Sequence, residues 1–140
     1  MKTILIIDGQ GGRMGALLTE RLKNVCPVEL KEKIKIIAVG TNAMATSAMI
    51  KAGADNAATG ENACVVCASK ADIIAGPIGI VIADSLLGEV TEKMAAAVGK
   101  SNAVRVLVPV NRCDNIIAGV KEAPMGELVR EAADHIIKLI

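Results

Sequence analysis

The sequence predicts an α/β fold of three layers, in which two layers of helices cover a doubly wound, mostly parallel sheet of about six strands. Short, almost continuously apolar runs alternate with segments of helical composition along the chain, which is typical of a parallel sheet buried on both faces. The first apolar run also leads into a glycine-rich loop and then into an amphipathic segment. This order of strand, tight turn and helix is typical of Rossmann-like dinucleotide-binding folds.

The composition predicts one domain over residues 1–140. With 52% hydrophobic residues, the chain is long enough to bury a core. The net charge of +1 and the lack of Phe, Tyr and Trp argue against nucleic-acid binding, because neither a basic surface nor stacking rings are available. Four cysteines without an export signal predict reduced thiols in the cytoplasm, and no apolar run is long enough for a membrane span.

The predicted elements follow from apolar runs, turn residues and helix caps. Strands are predicted at residues 4–7, 34–39, 55–58, 72–75, 104–110 and 115–120. Helices are predicted at residues 16–22, 43–52, 61–70, 92–98 and 125–139. Segment 78–87 is apolar and compatible with a strand or a buried helix. We expect a helix there, because a crossover must precede the next clear strand.

Ligands of such sheets bind beyond the carboxyl ends of the strands, so the candidate residues lie in the segments that follow the predicted strands. These segments are residues 9–15, 40–42, 59–62, 76–79 and 111–114.

The glycine loop of residues 9–15 is the strongest candidate, with Gly9, Gly12 and Gly15 at intervals of three and Gly11 between them. Glycines allow a sharp turn and a close approach to a ligand, and unpaired N–H groups at a helix start favour an anion. We expect the loop to bind the phosphate of a nucleotide, with Gly12 close to it. The alternative is that the glycines form a strand-to-helix turn that binds nothing.

The loop Gly9-Gln10-Gly11-Gly12-Arg13-Met14-Gly15 resembles the nucleotide-binding loop of dihydrodipicolinate reductases, which carry G-x-x-G-R-M-G after their first strand. The resemblance implies that this loop and its arginine line the pyrophosphate and ribose of NAD(P)H. It covers this corner of the chain alone, and 140 residues leave no room for the second domain that supplies the catalytic residues of those enzymes.

Over its whole length the chain resembles a family of short bacterial proteins of unknown function, through the segments TNAMATSAMIKAGA, ATGENA, AGPIGI and PVNRC. That resemblance implies one compact Rossmann-like domain and no particular activity.

The end of the second strand is where a dinucleotide-binding fold contacts the ribose, through an acid for a 2′-hydroxyl or an arginine for a 2′-phosphate. This chain has Thr41 and Asn42 there. Hydroxyl and amide groups can form hydrogen bonds with a 2′-hydroxyl or with a 2′-phosphate. NAD(H), NADP(H), another nucleotide and a phosphorylated metabolite therefore all remain possible ligands. Asn42 is equally compatible with a helix cap.

Two further segments complete the predicted site. Gly76 and Pro77 either lie under the distal half of the ligand or end a strand. Asn111 and Arg112 follow the fifth strand, where Arg112 either binds a carboxylate or phosphate with its planar guanidinium or pairs with Asp114 at the surface.

The cysteines and the single histidine do not form a predicted metal site. Cys64 and Cys67 lie in a predicted apolar helix and are best interpreted as small buried hydrophobic residues. A zinc site would need further ligands nearby, and His135 lies far away in the last helix, where we expect a surface or partly buried position.

The function that we predict is binding or sensing of a nucleotide, NAD(P)-like, or of a phosphorylated metabolite. The alternatives are a small oxidoreductase whose active site is completed across a homodimer, and an interaction protein with a vestigial loop. No base–nucleophile pair is recognisable, so no catalytic residue is assigned. We also expect a homodimer through residues 78–98, because this apolar stretch would leave a sticky face.

Overall fold

A computed structural model describes residues 1–110, 112 and 114–140, and its core is a sheet of parallel strands. The strands are β1 (Lys2–Asp8), β2 (Ile34–Gly40), β3 (Asn56–Thr59), β4 (Ile73–Pro77) and β5 (Val104–Val108). The α-helices are α1 (Arg13–Val25), α2 (Val28–Lys31), α3 (Ala43–Lys51), α4 (Glu61–Lys70), α5 (Glu92–Lys100) and α6 (Met125–Lys138). A 3₁₀-helix covers Ile78–Val81.

The sheet has the order β3-β2-β1-β4-β5, and its register brings the carboxyl ends of the strands to one edge. Asp8 at the end of β1 is opposite Gly40, which is opposite Thr59 on the other side. The strand order reverses between β1 and β4, which is the switch point where folds of this kind bind ligands. The predicted doubly wound architecture is therefore confirmed.

The two faces of the sheet form separate hydrophobic cores. Ile4 and Ile6 of β1 point to one core, which is covered by α1, α3 and α6, while Leu5 and Ile7 point to the other, covered by α4 and α5. All four side chains are buried. Because successive strand residues point to opposite faces, a strand buried on both sides has a continuous apolar sequence, as β1 does.

The predicted helix over residues 78–87 is wrong. After the 3₁₀-helix the chain turns repeatedly, and Asp84, Leu86 and Leu87 adopt left-handed backbone conformations with φ of 63°, 55° and 56°. Ile80 and Leu86 are buried in the core on the α4–α5 face. Residues 78–87 are apolar because an irregular loop places side chains in the core, and not because these residues form one face of a helix.

The predicted sixth strand at residues 115–120 is also wrong, so the described residues contain five strands. Ile116 is 95% exposed, and Gly119 has a φ of 82°, which a strand does not accommodate. Strand β4 is longer than predicted and includes Gly76 and Pro77. None of the described helices is long and apolar enough to cross a lipid bilayer.

Candidate functional site

Asp8 holds the two ends of the glycine loop together. Its carboxylate accepts a hydrogen bond from the N–H of Gly9 at 2.8 Å and another from the N–H of Gly15 at 2.7 Å. The N–H of Gly12 donates to the carbonyl of Gly9 at 2.9 Å and closes a turn inside the loop. The loop is therefore a preorganised structure that needs no ligand to define its shape.

Burial dominates the electrostatics of Asp8. It raises the pKa of Asp8 above its usual value, although the N–H groups of Gly15 and Gly9 act in the opposite direction. The carboxylate of Glu89 lies close enough to add to the rise. Both oxygens of Asp8 are used in holding the loop, so its role is structural.

Gly12 and Gly15 are required by packing inside the protein. Gly12 has a φ of 73°, and a Cβ atom there would lie 2.6 Å from the Cα of Ala45. A Cβ atom on Gly15 would lie 2.6 Å from the Sδ of Met49. The close contact with α3 thus accounts for a glycine at position 12, whereas we expected the close approach of a phosphate to account for it.

Gly11 differs from its neighbours because it is exposed and a Cβ atom on it would meet open space. Among the described residues, no partner accepts a hydrogen bond from the backbone N–H groups of Gly11, Arg13 and Met14. The Arg13 side chain is exposed on the first turn of α1 and forms no ion pair with a described residue. Three backbone donors and one cation are therefore available at the start of α1.

Glu89 is the residue of this site that sequence analysis missed. Its Oε1 atom accepts hydrogen bonds from the N–H of Gln10 at 3.0 Å, the hydroxyl of Thr41 at 2.7 Å and the side-chain amide of Asn42 at 2.7 Å. The Asn42 amide also donates to the carbonyl of Gln10 at 2.9 Å. These bonds join the glycine loop to the end of β2 through a carboxylate from the loop after β4.

Asn42 is the N-cap of α3 as well as a partner of Glu89. Its Oδ1 atom accepts from the N–H of Ala45 at 2.9 Å, which confirms the helix-cap interpretation. Thr41 and Asn42 thus lie beside the glycine loop, as predicted, but their polar groups are engaged with the protein.

The hydrogen bonds to Glu89 keep it ionised. Partial burial by itself would raise the pKa of Glu89, but the donors on Gln10, Thr41 and Asn42 outweigh burial and hold the pKa below its usual value. A signal for this residue is present in the sequence: Glu89 is an acid next to Val90 and close to Leu86 and Leu87 in an apolar stretch.

Gly76 and Pro77 are buried residues of β4. A Cβ atom on Gly76 would collide with the carbonyl oxygen of Ile7, so the glycine allows β4 to pack closely against β1. Pro77 pairs with Val108 of β5. Their contact with a ligand stays a prediction, and their place in the sheet explains them without one.

The structure does not bring Arg112 to the glycine loop through any contact between described residues. Its Nε atom donates to the carbonyl of Pro109 at 3.2 Å, and its side chain lines a cavity of about 370 Å³ together with Glu122 and Leu128. No ion pair joins it to Asp114 within the described part of the chain. Asn111, predicted beside it, lies outside the described residues.

Cys64 and His135 have the environments expected of a buried and a surface residue, whereas Cys67 is only partly buried. Cys64 is buried in the core, and burial raises the pKa of its thiol to about 11. His135 is exposed on α6, with its Nε2 atom 4.0 Å from Oε1 of Glu131. Within residues 1–110, 112 and 114–140, no group of three or more His, Cys, Asp or Glu side chains is arranged to bind a metal ion.

Most apolar residues of the predicted dimer region belong to the core. Ile80, Val90, Met94 and Val98 are buried against α4 and the sheet, whereas Leu87 is 96% exposed. The homodimer stays a prediction, with Leu87 as the large hydrophobic residue that this region presents to solvent among those described.

A family model matches nearly the whole chain. Residues 3–140 match the family model described as a domain of unknown function, DUF3842. The chain belongs to this family. This confirms the resemblance to a family of unknown function, and it brings no activity with it. No curated protein and no solved structure matches the chain.

Proposed function

We propose that the protein binds a nucleotide or a similar phosphorylated ligand, with the phosphate on the loop of residues 9–15, and that it acts as a binding or sensing module in the cytoplasm. The proposal depends on one observation. The loop is held in shape by Asp8, yet it leaves the N–H groups of Gly11, Arg13 and Met14 without a partner among the described residues. Backbone donors at a helix start are well suited to a phosphate.

The distribution of charge along the loop supports this placement. The N–H of Gln10 is occupied by the carboxylate of Glu89, which would repel a phosphate. The available donors are the N–H groups of Gly11, Arg13 and Met14, and the exposed Arg13 side chain adds a positive charge beside them. A phosphate is therefore favoured at the start of α1, away from Glu89. This agrees with the role that the resemblance to dihydrodipicolinate reductases implies for the loop.

The use of the two acids favours binding over catalysis. Both oxygens of Asp8 accept hydrogen bonds from N–H groups of the loop, so Asp8 does not act on a ligand. Oε1 of Glu89 likewise accepts hydrogen bonds from the protein. A general base must reach the proton that it removes. Both carboxylates hold the loop in place, and only Oε2 of Glu89 has no hydrogen-bond partner among the described residues, so the geometry supports a binding site better than an oxidoreductase.

The proposal is tested by Gly11→Val. Its side chain would occupy the open space above the loop, so we expect it to lower the affinity for NAD(H), NADP(H) or adenine nucleotides at least tenfold, measured by isothermal titration calorimetry. The melting temperature should stay close to that of the wild type, because no described atom lies within 4 Å of the added Cβ.

The matched control is Gly99→Val, at an exposed glycine of α5 whose Cβ also meets open space. It should bind as the wild type does. Equal affinity of Gly11→Val and wild type would place the ligand elsewhere. Absence of binding by the wild type to every one of these nucleotides would refute nucleotide binding.

A further inference from the structure

Glu89 reaches the end of β2, where dinucleotide-binding folds contact the ribose, but it comes from a different element. In those folds the contact is made by an acid directly after the second strand. Here that place holds Thr41 and Asn42, and both of them donate hydrogen bonds of 2.7 Å to Oε1 of Glu89. The end of β2 therefore carries a carboxylate, supplied by a residue 48 positions after Thr41.

The loop that carries Glu89 is built to hold it in place. The N–H of Asp84 donates to the carbonyl of Val90 at 2.7 Å, and the N–H of Val90 donates to the carbonyl of Ser85 at 3.2 Å. The hydroxyl of Ser85 donates to the carbonyl of Gly79, which ties the loop to the 3₁₀-helix. Left-handed residues allow this tight path. Glu89 is thus positioned by a structured segment.

Leu86 fixes the same loop against the glycine loop. It is 2% exposed, and a Cβ atom on Gly9 would lie 2.9 Å from its Cδ1 atom. Gly9 therefore admits Leu86, and Leu86 brings Glu89 within hydrogen-bond distance of Gln10. The glycine loop and the Glu89 loop form one packed unit.

One oxygen of Glu89 remains available. Oε1 accepts three hydrogen bonds, whereas Oε2 has no hydrogen-bond partner among the described residues. The side chain is partly exposed, and the donors around Oε1 keep it ionised at neutral pH. An ionised carboxylate accepts strong hydrogen bonds from hydroxyl groups and disfavours a phosphate group next to it.

We infer that Glu89 is the specificity-determining residue of this site: its Oε2 accepts a hydrogen bond from the ribose of an adenosine-type nucleotide with an unmodified 2′-hydroxyl, and its charge excludes a 2′-phosphate. The inference rests on the proposed function, because it places the phosphates of the same ligand on the N–H groups of Gly11, Arg13 and Met14. It selects NAD(H) and ADP-ribose-type ligands over NADP(H).

The test compares the affinities for NAD⁺ and NADP⁺ by calorimetry in the wild type, Glu89→Gln and Glu89→Asp. We expect the wild type to bind NAD⁺ at least tenfold more tightly than NADP⁺. Glu89→Gln removes the charge and should bring the ratio close to one. Glu89→Asp keeps the charge but withdraws the carboxylate by one methylene, so NAD⁺ affinity should fall while NADP⁺ remains disfavoured.

The control is Glu92→Gln, which removes the same charge three positions later. Glu92 is exposed in the first turn of α5, and its side chain has no hydrogen bond with a described residue. It should leave the ratio of affinities unchanged. Melting temperatures of all variants show whether they are folded, and the ratio of two affinities in one variant does not depend on its stability.

The outcomes separate this inference from the proposed function. Equal affinity of the wild type for NAD⁺ and NADP⁺, or an unchanged ratio in Glu89→Gln, would overturn the role of Glu89 and leave nucleotide binding intact. Tighter binding of both nucleotides by Glu89→Gln would show that Glu89 competes with the ligand, which also overturns it. Absence of binding to either nucleotide by the wild type would refute both.

Discussion

The carboxylate of Glu89 accepts a 3.0 Å hydrogen bond from the backbone N–H of Gln10, across 79 positions of sequence. The same oxygen accepts from Thr41 and Asn42, so three segments of the chain meet at one atom. Because an ionised acceptor strengthens each of these bonds, the junction should be sensitive to loss of a single donor and to protonation of the acid.

Thr41→Val removes one donor to Glu89 and nearly preserves the shape of the side chain. We expect the pKa of Glu89 to rise toward its usual 4.5, because fewer hydrogen bonds favour the ionised form while partial burial still opposes it. The free energy of unfolding should fall by about 1 kcal/mol. NMR titration of the Glu89 side-chain carbon measures the first effect and urea denaturation the second.

Thr3→Val is the control for Thr41→Val. The hydroxyl of Thr3 makes no hydrogen bond with a described residue, so the pKa of Glu89 should not change. A Thr41→Val variant with an unaltered Glu89 titration would show that the Thr41 hydroxyl does not stabilise the carboxylate in solution.

The sign of the pH dependence at Glu89 follows from its lowered pKa. Its contribution to stability is fully present at pH values above 4.5, which is the usual pKa of a glutamate. The contribution is lost as the pH falls through the lower pKa that Glu89 has in the folded state. Glu89→Gln does not titrate, so the stability advantage of the wild type over this variant should shrink on acidification below pH 4.5. Urea denaturation at several pH values measures this difference in the free energy of unfolding. A difference that does not change with pH would show that the hydrogen bonds to Glu89 do not stabilise its ionised form.

Asp8 should show the opposite pH dependence. Its pKa is raised by burial, so the folded state binds a proton more readily than the unfolded state does. Its stabilising contribution is complete below its usual pKa of 3.8 and is lost as the pH rises through the raised pKa. The stability of the wild type relative to Asp8→Asn should therefore decrease over this range and become constant above it. An increase with pH would show that hydrogen bonding outweighs burial.

Gly12→Ala should destabilise the fold, because Gly12 has a φ of 73° and a Cβ atom there would meet the backbone of Ala45. A left-handed alanine costs roughly 1–2 kcal/mol, and the collision adds to it. We expect a loss of at least about 2 kcal/mol by urea denaturation. Gly11→Ala, with open space around its Cβ, should change stability by less than about 1 kcal/mol. Similar losses at both positions would contradict the packing described for Gly12.

Leu86→Ala and Leu87→Ala form a matched pair of neighbouring residues with φ of 55° and 56°. Leu86 is buried and Leu87 is 96% exposed, so backbone effects are alike and burial differs. Leu86→Ala should cost about 2–5 kcal/mol by removing core contacts, whereas Leu87→Ala should stay within about 0.5 kcal/mol. Equal effects on the free energy of unfolding would show that Leu86 is not packed against the glycine loop.

The sequence by itself determined the layered fold and the location of the glycine loop. These features depend on local patterns, since a buried parallel strand is apolar throughout and a glycine-rich turn into a helix is contiguous. Thus β1 and the loop after Asp8 are found where the sequence predicts them, and Asn42 is a helix cap as its type suggests.

Only the tertiary structure decided which residues meet at the loop and what each glycine is for. Residues 78–87 contain enough apolar side chains for a helix, but Leu86 is buried by an irregular path that periodicity does not encode. A glycine is needed at position 12 because the backbone of Ala45, 33 residues away, leaves no room for a Cβ atom. No local sequence pattern predicts this contact. Glu89 reaches the end of β2 because the parallel sheet gathers the loops after β1, β2 and β4 at one edge. Contacts between such loops depend on strand order and register, which are properties of the assembled sheet.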